Sequence, residues 1–350
     1  MQQNININGR KIGNTEKPFI IAEMSANHNG SIEIAKQIIN HAYQAGADAV
    51  KLQTYRPDTI TLNSRQSQFL ITDGPWEGMS LFELFEKAYM PWEWHKPLFD
   101  HARKLGIEIF SSPFDRSAVD LLENLNTPAY KIASFEAIDI PLIEYAASTG
   151  KPMIISTGMA NLTEINEAID AAYGAGCKQV ALLHCVSGYP APSDDYNLKT
   201  IPDMIERFGL VTGLSDHTIT NTSALASVAL GASIIEKHFT LDRQGGGPDD
   251  SFSLEPDDLR SLCTEVRQVW NALGKPDYSL KESEKENVSK RKSIYVIRDI
   301  KAGEEITPSV IKTVRPGYGL APKFYKDVIG MRATKVIKAN SALTWDMLEH

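Results

Sequence analysis

Residues 210–240 read LVTGLSDHTITNTSALASVALGASIIEKHFT, and this stretch decides the fold. It begins and ends with short apolar runs rich in β-branched residues, 210–217 and 233–240, which are typical of buried strands. Between them a helical pattern stops at Gly231, where a residue without Cβ favours a left-handed helix end. The stretch therefore predicts one strand–helix–strand unit of a parallel sheet.

The same unit recurs along the chain. Six further apolar runs begin at Pro18, Ala49, Ile107, Ala129, Pro152 and Val180, with helical spacing between them. Eight such strands predict an α/β fold of the (β/α)8 TIM barrel type. An open doubly wound sheet is the alternative, but its GxGxxG fingerprint is absent, since residues 24–30 read MSANHNG.

Composition changes after the last predicted helix. Residues 276–292 are polar and dense in charge, which is typical of a linker. We therefore expect a barrel domain over 1–275, with a hairpin at Asn8-Gly9 near its start, and a small β-rich domain over 293–350. Within that second domain IKAGEEIT at 300–307 is echoed by IKANSALT at 337–344, which indicates a pseudo-symmetric module.

The overall charge argues against several classes of protein. The chain has 350 residues with 36 basic and 44 acidic side chains, a net charge of −8, and no basic run suited to a phosphate backbone. We expect no nucleic-acid partner, no membrane span and no secretory signal. The three cysteines are too few for a disulfide framework, which favours the cytoplasm.

Polar side chains follow the apolar body of every predicted strand, at the end where barrel active sites lie. His217 and His238 end neighbouring strands, so their imidazoles are candidate ligands of one divalent ion, Mn²⁺, Co²⁺ or Mg²⁺. Two hydrogen-bonded structural histidines are the alternative. Glu236 shares a face with His238 and is a candidate ligand or neighbour of the ion.

A second set of strand-end residues suits an anionic small molecule. Lys131, Ser134, Ser156, Ser187 and Ser215 offer an ammonium and hydroxyl groups to a phosphate or carboxylate. Alternatively, Lys51 or Lys131 is a Schiff-base lysine, as in barrel aldolases.

Nine strings in order resemble the sialic acid synthase family: AEMSANHNG, KLQTY, SSPF, AYKIAS, STGM, LLHCVSGYP, GLSDHT, EKHFTLD and GPDDSFSLEP. The tail, with KAGEEIT and VRPGYG, resembles the antifreeze-like (SAF, β-clip) domain of those enzymes. Within the family, MSANHNG, ASFEA and RPGYGLAPKFYKDVIG are most similar to the branch that makes pseudaminic acid.

The resemblance implies a metal-dependent condensation of phosphoenolpyruvate with 2,4-diacetamido-2,4,6-trideoxy-L-altrose, in which the C–O bond of phosphoenolpyruvate breaks. It implies that His217 and His238 bind the metal and that Glu23 is the catalytic carboxylate. Phosphoenolpyruvate would be bound by Lys51, Lys131, Ser134, Ser156, Ser187 and Ser215. Where the sialate branch has Asn, this chain has Ser187.

On the sugar side, the resemblance implies roles for Gln53, Tyr189 and Asp249. Arg315 matches an arginine that reaches the barrel of the other subunit, which implies a homodimer with exchanged C-terminal domains. N-acetylneuraminate or legionaminate synthesis and a non-enzymatic binding module remain alternatives.

Overall fold

The computed structural model describes residues 4–72 and 76–350. The chain divides into two compact units, the first ending at Gly274 and the second covering Lys275–His350. The predicted linker 276–292 belongs to the second unit and contains a 3₁₀ helix over Glu282–Lys290. Among the described residues no helix is long and apolar enough to span a bilayer.

The first unit is a closed barrel of eight parallel strands, as the sequence predicts. The strands of the barrel are β3 Phe19–Glu23, β4 Ala49–Thr54, β5 Glu108–Pro113, β6 Tyr130–Ile132, β7 Met153–Ser156, β8 Val180–Cys185, β9 Val211–Asp216 and β10 Ile234–His238. Around the barrel their order is β10, β3, β4, β5, β6, β7, β8 and β9, so each strand pairs with its neighbour in sequence until β10 closes on β3.

Helices follow the strands and cover the outside of the barrel. Their ends have local causes: Asn161 and Glu164 form the capping box that begins the helix Leu162–Gly174, and Gly46 ends the helix Ile32–Ala45 with a left-handed φ of 90°. The helices are α1 Ile32–Ala45, α2 Pro57–Ile60, α3 Leu81–Ala88, α4 Trp92–Leu105, α5 Arg116–Asn124, α6 Ile140–Ala147, α7 Leu162–Gly174, α8 Thr200–Phe208, α9 Thr222–Ala229, α10 Pro256–Leu273 and, in the second unit, α11 Tyr325–Val328.

A hairpin closes the bottom of the barrel. Its strands β1 Ile5–Ile7 and β2 Arg10–Ile12 pair antiparallel around the predicted Asn8-Gly9 turn. Ile5, Ile7 and Ile12 are buried in one cluster with the inward residues of the barrel strands. The hairpin therefore acts as an apolar plug at the amino ends of the strands.

Alternation along each strand decides what the barrel interior contains. On β3 the plug cluster includes Phe19 and Ile21, and on β10 it includes Ile234. Because successive side chains point to opposite faces, Glu23 and Glu236 continue these inward rows toward the mouth. The interior thus changes from apolar at the bottom to charged at the carboxyl ends of the strands.

The second unit is built from short strands around its own core. β11 Ser293–Val296 pairs antiparallel with β12 Ile311–Val314, and β13 Arg332–Ala333 with β14 Leu348–Glu349. The two echoed segments meet in an antiparallel bridge between Ile300 and Ile337, both of which are buried. This pairing agrees with the predicted pseudo-symmetric module.

Candidate active site

Four charged side chains from four strands are buried together at the mouth of the barrel. Lys51 Nζ on β4 lies 3.2 Å from Glu23 Oε2 and 3.2 Å from Glu236 Oε1. Lys131 Nζ, on β6, lies 3.8 Å from the same Glu236 oxygen and donates a hydrogen bond to Ser156 Oγ at 2.6 Å. We call Glu23, Lys51, Lys131 and Glu236 the mouth cluster.

The hydrogen bonds of the mouth cluster are incomplete. In the part of the chain that the structure describes, Oε2 of Glu23 and Oε2 of Glu236 are buried and accept no hydrogen bond, although Lys51 Nζ lies 3.2 Å from the first of them. Lys51 Nζ also donates to Ser112 Oγ at 3.3 Å. Buried carboxylate oxygens without a hydrogen-bond donor are costly, so the cluster has capacity left for a donor such as a hydroxyl group or water.

The same neighbours move the two carboxyl pKa values in opposite directions. Burial raises the pKa of Glu23, and the charge of Lys51 only partly offsets it. Burial also acts to raise the pKa of Glu236, but the attractions of Lys131 and Lys51 outweigh burial and lower it. Divergent pKa values in one site are typical of a proton-transferring group beside a permanently ionised one.

The two lysines diverge as well. Burial alone would lower the pKa of Lys51, but its attraction to Glu23 and Glu236 prevails and raises it. Burial lowers the pKa of Lys131 to about 8. The attraction of Glu236 offsets burial only in part, and repulsion from Lys51 lowers the pKa further. Lys131 therefore changes charge within the range of pH at which enzymes are assayed.

Hydroxyl groups converge beside Lys131 on Gly158, just after β7. Gly158 N donates to Ser134 Oγ at 3.2 Å. A Cβ at Gly158 would lie 2.3 Å from Ser187 Oγ and 2.8 Å from Ser134 Oγ, so only glycine fits there. A backbone without a side chain beside two hydroxyls and an ammonium is suited to an anionic group.

Two histidines lie next to the mouth cluster, at the ends of β9 and β10. The rings of His217 and His238 are 5.4 Å apart between centroids, and the Tyr189 ring lies 4.3 Å from that of His217. His217 Nδ1 contacts Val186 O at 2.8 Å, which leaves Nε2 as the nitrogen that could bind an ion. His238 Nδ1 is buried and has no hydrogen-bond partner among the residues that the structure describes.

These two imidazoles could hold a divalent ion. Burial, with repulsion from His217, lowers the pKa of His238 well below its usual range and keeps its imidazole neutral, as ligation requires. Within residues 4–72 and 76–350 no group of three or more His, Cys, Asp or Glu side chains is arranged around one metal position. Two imidazoles with the remaining positions open to substrate and water suit catalysis better than structure.

Two of the four sugar-side residues predicted from sequence, Gln53 and Asp249, are joined to Glu23 by a chain of hydrogen bonds. Gln53 Nε2 donates to Glu23 Oε1 at 2.9 Å and to Ser25 Oγ at 2.9 Å. Ser25 Oγ in turn donates to Asp249 Oδ2. Asp249 Oδ2 also lies 3.9 Å from His238 Nδ1, which connects the chain to the histidines.

Most of the predicted site residues come together at the mouth, and one lies in the other unit. Ser215 Oγ donates to Glu236 Oε1 at 3.4 Å and so belongs beside the mouth cluster. Arg315 is exposed and follows β12 of the second unit. Its predicted role across a dimer stays a prediction.

Sequence reasoning missed three polar groups of the site. Ser112 lies beside Ser111 at the end of a strand that the sequence does predict. Cys185 lies within the apolar run of another strand, and its Sγ is 3.9 Å from His217 Nδ1. Ser25 carries no periodic signal, because it lies in the loop after β3 and its partner Asp249 is 224 residues away. The alternation of side chains along β10 did predict that Glu236 faces the site. Its partners in the structure are Lys51 and Lys131.

The fold and the site define a class: a (β/α)8 barrel enzyme with a cluster of charged groups buried at its mouth and a separate β-rich domain. The NeuB family model matches residues 38–278, and the SAF domain model matches residues 291–349. The chain belongs to the NeuB family and carries a SAF domain, which confirms the resemblance seen in the sequence.

Relatives extend over nearly the whole chain. Pseudaminic acid synthase of Helicobacter pylori is 45% identical over 95% of this chain and 98% of its own length. N,N'-diacetyllegionaminic acid synthase of Campylobacter jejuni is 39% identical over 94% of this chain and 99% of its own. The crystal structure of N-acetylneuraminic acid synthetase from Leptospira borgpetersenii, in complex with citrate, is 32% identical, with a TM-score of 0.73 over 82% of this chain and 96% of that one.

Proposed function

We propose that this enzyme condenses phosphoenolpyruvate with 2,4-diacetamido-2,4,6-trideoxy-L-altrose to give pseudaminic acid and phosphate. The observation that carries the proposal is the 45% identity, across barrel and SAF domain, to a pseudaminic acid synthase. Because a legionaminic acid synthase is 39% identical to this chain, the sugar precursor of legionaminic acid is the second candidate substrate.

Phosphoenolpyruvate is an anion, and the mouth offers it positive charge. The hydroxyls of Ser134 and Ser187 lie beside the open backbone at Gly158, and Lys131 donates to Ser156 Oγ. In the proposed reaction these groups bind the phosphate or the carboxylate. The ammonium of Lys51 lies between the two carboxylates and adds charge on the other side. An anion entering this space accepts hydrogen bonds from the ammonium groups and from the serine hydroxyls, which favours its binding.

Glu23 transfers the proton. Its raised pKa lets it protonate the aldehyde oxygen of the sugar as the new bond forms, whereas Glu236 stays ionised and holds the two lysines. Gln53 donates to the other Glu23 oxygen and orients the carboxyl group. His217 and His238 would hold a divalent ion, which supplies Lewis-acid polarisation of the aldehyde and orientation of water.

The bonds balance without any further reactant. Carbon 3 of phosphoenolpyruvate bonds to the aldehyde carbon, a water oxygen adds at carbon 2, and the bond from carbon 2 to the bridging oxygen breaks. Phosphate leaves with that oxygen, so ¹⁸O placed in the bridge is expected in phosphate by mass spectrometry. Label in the keto acid would indicate P–O cleavage and contradict this route.

Phosphate release tests the reaction and its sugar. We expect release from phosphoenolpyruvate with the altrose derivative at a rate well above that with N-acetylmannosamine or with the legionaminate precursor. Preference for either of the latter moves the enzyme to another branch of the family. A lysine adduct trapped by borohydride at Lys51 or Lys131 would instead support an imine-forming aldolase.

A homodimer with exchanged SAF domains is the second part of the proposal. Phe135, Ile138, Met159 and Leu162 lie after β6 and β7 and are 50–63% exposed, an apolar rim of the kind that a partner covers. We infer that the SAF domain of a second copy covers this rim, with Arg315 reaching the sugar. Tyr318, 70% exposed, offers that domain an apolar contact of its own.

Subunit mixing tests the exchange. Glu23→Ala and Arg315→Ala are each expected to be nearly inactive alone. In a mixed dimer with exchanged caps one site combines an intact barrel with an intact cap, so random mixing restores about a quarter of the sites. If each cap serves its own barrel, every site keeps a lesion and the mixture stays inactive.

A further inference from the structure

Ser25 has a backbone conformation that its side chain makes unfavourable. Its φ is 46°, in the left-handed region, and the residue is buried directly after β3. Glycine adopts this conformation freely, whereas a serine does so at a cost. Residues held in such conformations concentrate where the side chain has a role in a site.

The side chain of Ser25 supplies the middle link of the chain from Asp249 to Glu23. Its hydroxyl donates to Asp249 Oδ2 and accepts from Gln53 Nε2. The second hydrogen on Gln53 Nε2 goes to Glu23 Oε1. Since an amide nitrogen has only two hydrogens, both are used, and the carbonyl oxygen Oε1 is the group that Gln53 has left for a ligand.

We propose that Ser25 is a positioning residue that holds the Gln53 amide in one orientation, with its carbonyl oxygen presented to a hydrogen-bond donor of the sugar. The inference rests on the proposed function, because it takes the sugar as the ligand at Gln53. Reversal of the amide would set its oxygen against the Glu23 carboxylate. Ser25 adds the second anchor that keeps the amide from turning.

Two substitutions separate the hydroxyl from the backbone. Ser25→Gly removes the hydroxyl and relieves the left-handed φ, whereas Ser25→Ala removes the hydroxyl and keeps the strain. We expect both to lose about 5- to 30-fold in kcat/KM for the sugar, mainly through KM, the loss expected for one hydrogen bond. KM for phosphoenolpyruvate should not change, and Ser25→Gly should melt no lower than the parent.

Asn126→Gly is the matched control. Asn126 also has a left-handed φ, of 54°, but it is exposed and precedes β6 at the far end of the barrel. It should keep the parent kinetics for both substrates. Parent-like kcat/KM for the sugar in Ser25→Gly, or an equal rise in KM for both substrates, would overturn the proposal.

Hydrogen exchange gives a readout that needs no turnover. In the substrate-free protein both Gln53 side-chain amide hydrogens should be protected, with the signal assigned by its loss in Gln53→Glu. Ser25→Gly should accelerate their exchange, and unchanged exchange would overturn the role of Ser25. If the parent enzyme released no phosphate with any acetamido sugar, the proposed function would fail, while this measurement would still decide whether Ser25 holds the amide.

Discussion

Lys51 and Lys237 are both buried lysines paired with acids on strands of the same barrel, yet their surroundings differ. Lys237 Nζ donates to Asp216 Oδ2 at 2.8 Å, to Thr218 O at 2.7 Å and to Thr220 O at 2.9 Å, so each of its three hydrogens has an acceptor. Lys51 lies between two carboxylates that each keep an oxygen without a hydrogen bond.

The difference separates structural charge from charge that is ready for a ligand. The Asp216–Lys237 pair, on the outward face of β9 and β10, is saturated and ties the loop after β9 to the barrel wall. The mouth cluster has four charged groups, and among the described residues its two carboxylates each keep one oxygen without a hydrogen bond. Both regions are buried and ion-paired, so the carboxylate oxygens without hydrogen-bond donors are what identify the mouth as the site.

Chelation should give the largest effect, and only at the mouth. Dialysis against a chelator is expected to abolish phosphate release, and Mn²⁺, Co²⁺ or Mg²⁺ to restore it, because two imidazoles alone leave an ion removable. His217→Ala and His238→Ala should prevent restoration while the circular dichroism spectrum is kept. Full turnover in metal-free enzyme would contradict the metal role.

Neutralising Glu23 should damage activity and spare stability. Its pKa is raised in the folded protein, so at pH 7 the ionised carboxyl opposes folding, and Glu23→Gln removes that opposition. We expect kcat to fall about 10²- to 10⁴-fold, the range for loss of an acid–base group, with an unchanged or higher Tm. A fall in Tm with little loss of kcat would show that Glu23 has a structural role like that of Asp216 and Lys237.

Neutralising Asp216 should lower stability and spare activity. Asp216→Asn has the same shape but leaves Lys237 buried without its carboxylate, which costs about 3–5 kcal/mol of folding free energy. Urea unfolding measures this loss of folding free energy. Glu23→Gln, which also neutralises one buried carboxylate, is the matched control. The remaining folded enzyme should keep kcat within a fewfold of the parent. Equal stability of the two variants would erase the distinction between the two regions.

The pH profile should give the smallest effect. The ammonium of Lys131 is charged below its pKa of about 8 and loses its proton as pH rises through that value. KM for phosphoenolpyruvate should therefore rise about tenfold per pH unit above it. Lys131→Arg keeps its charge, so its KM should not rise with pH over that range. The same rise in both proteins would assign the titration to another group.

Particular residues show how far prediction from sequence reached. The barrel, the plug hairpin and the convergence of Glu23, Lys51, Lys131 and His238 follow from strand periodicity and from the rule that barrel sites lie at carboxyl ends of strands. Ser25 was not reachable in this way, because its φ and its bond to Asp249 depend on a loop 224 residues away.

The sequence by itself determined the order of strands and which side chains face inward, because alternation is a local property of extended backbone. It also determined family membership, through motifs that extend over both domains. Only the tertiary structure decided which charges pair and which way each pKa moves. Those depend on burial and on distances between strands that are remote in sequence, so Lys51 and Lys237 look alike until the barrel closes.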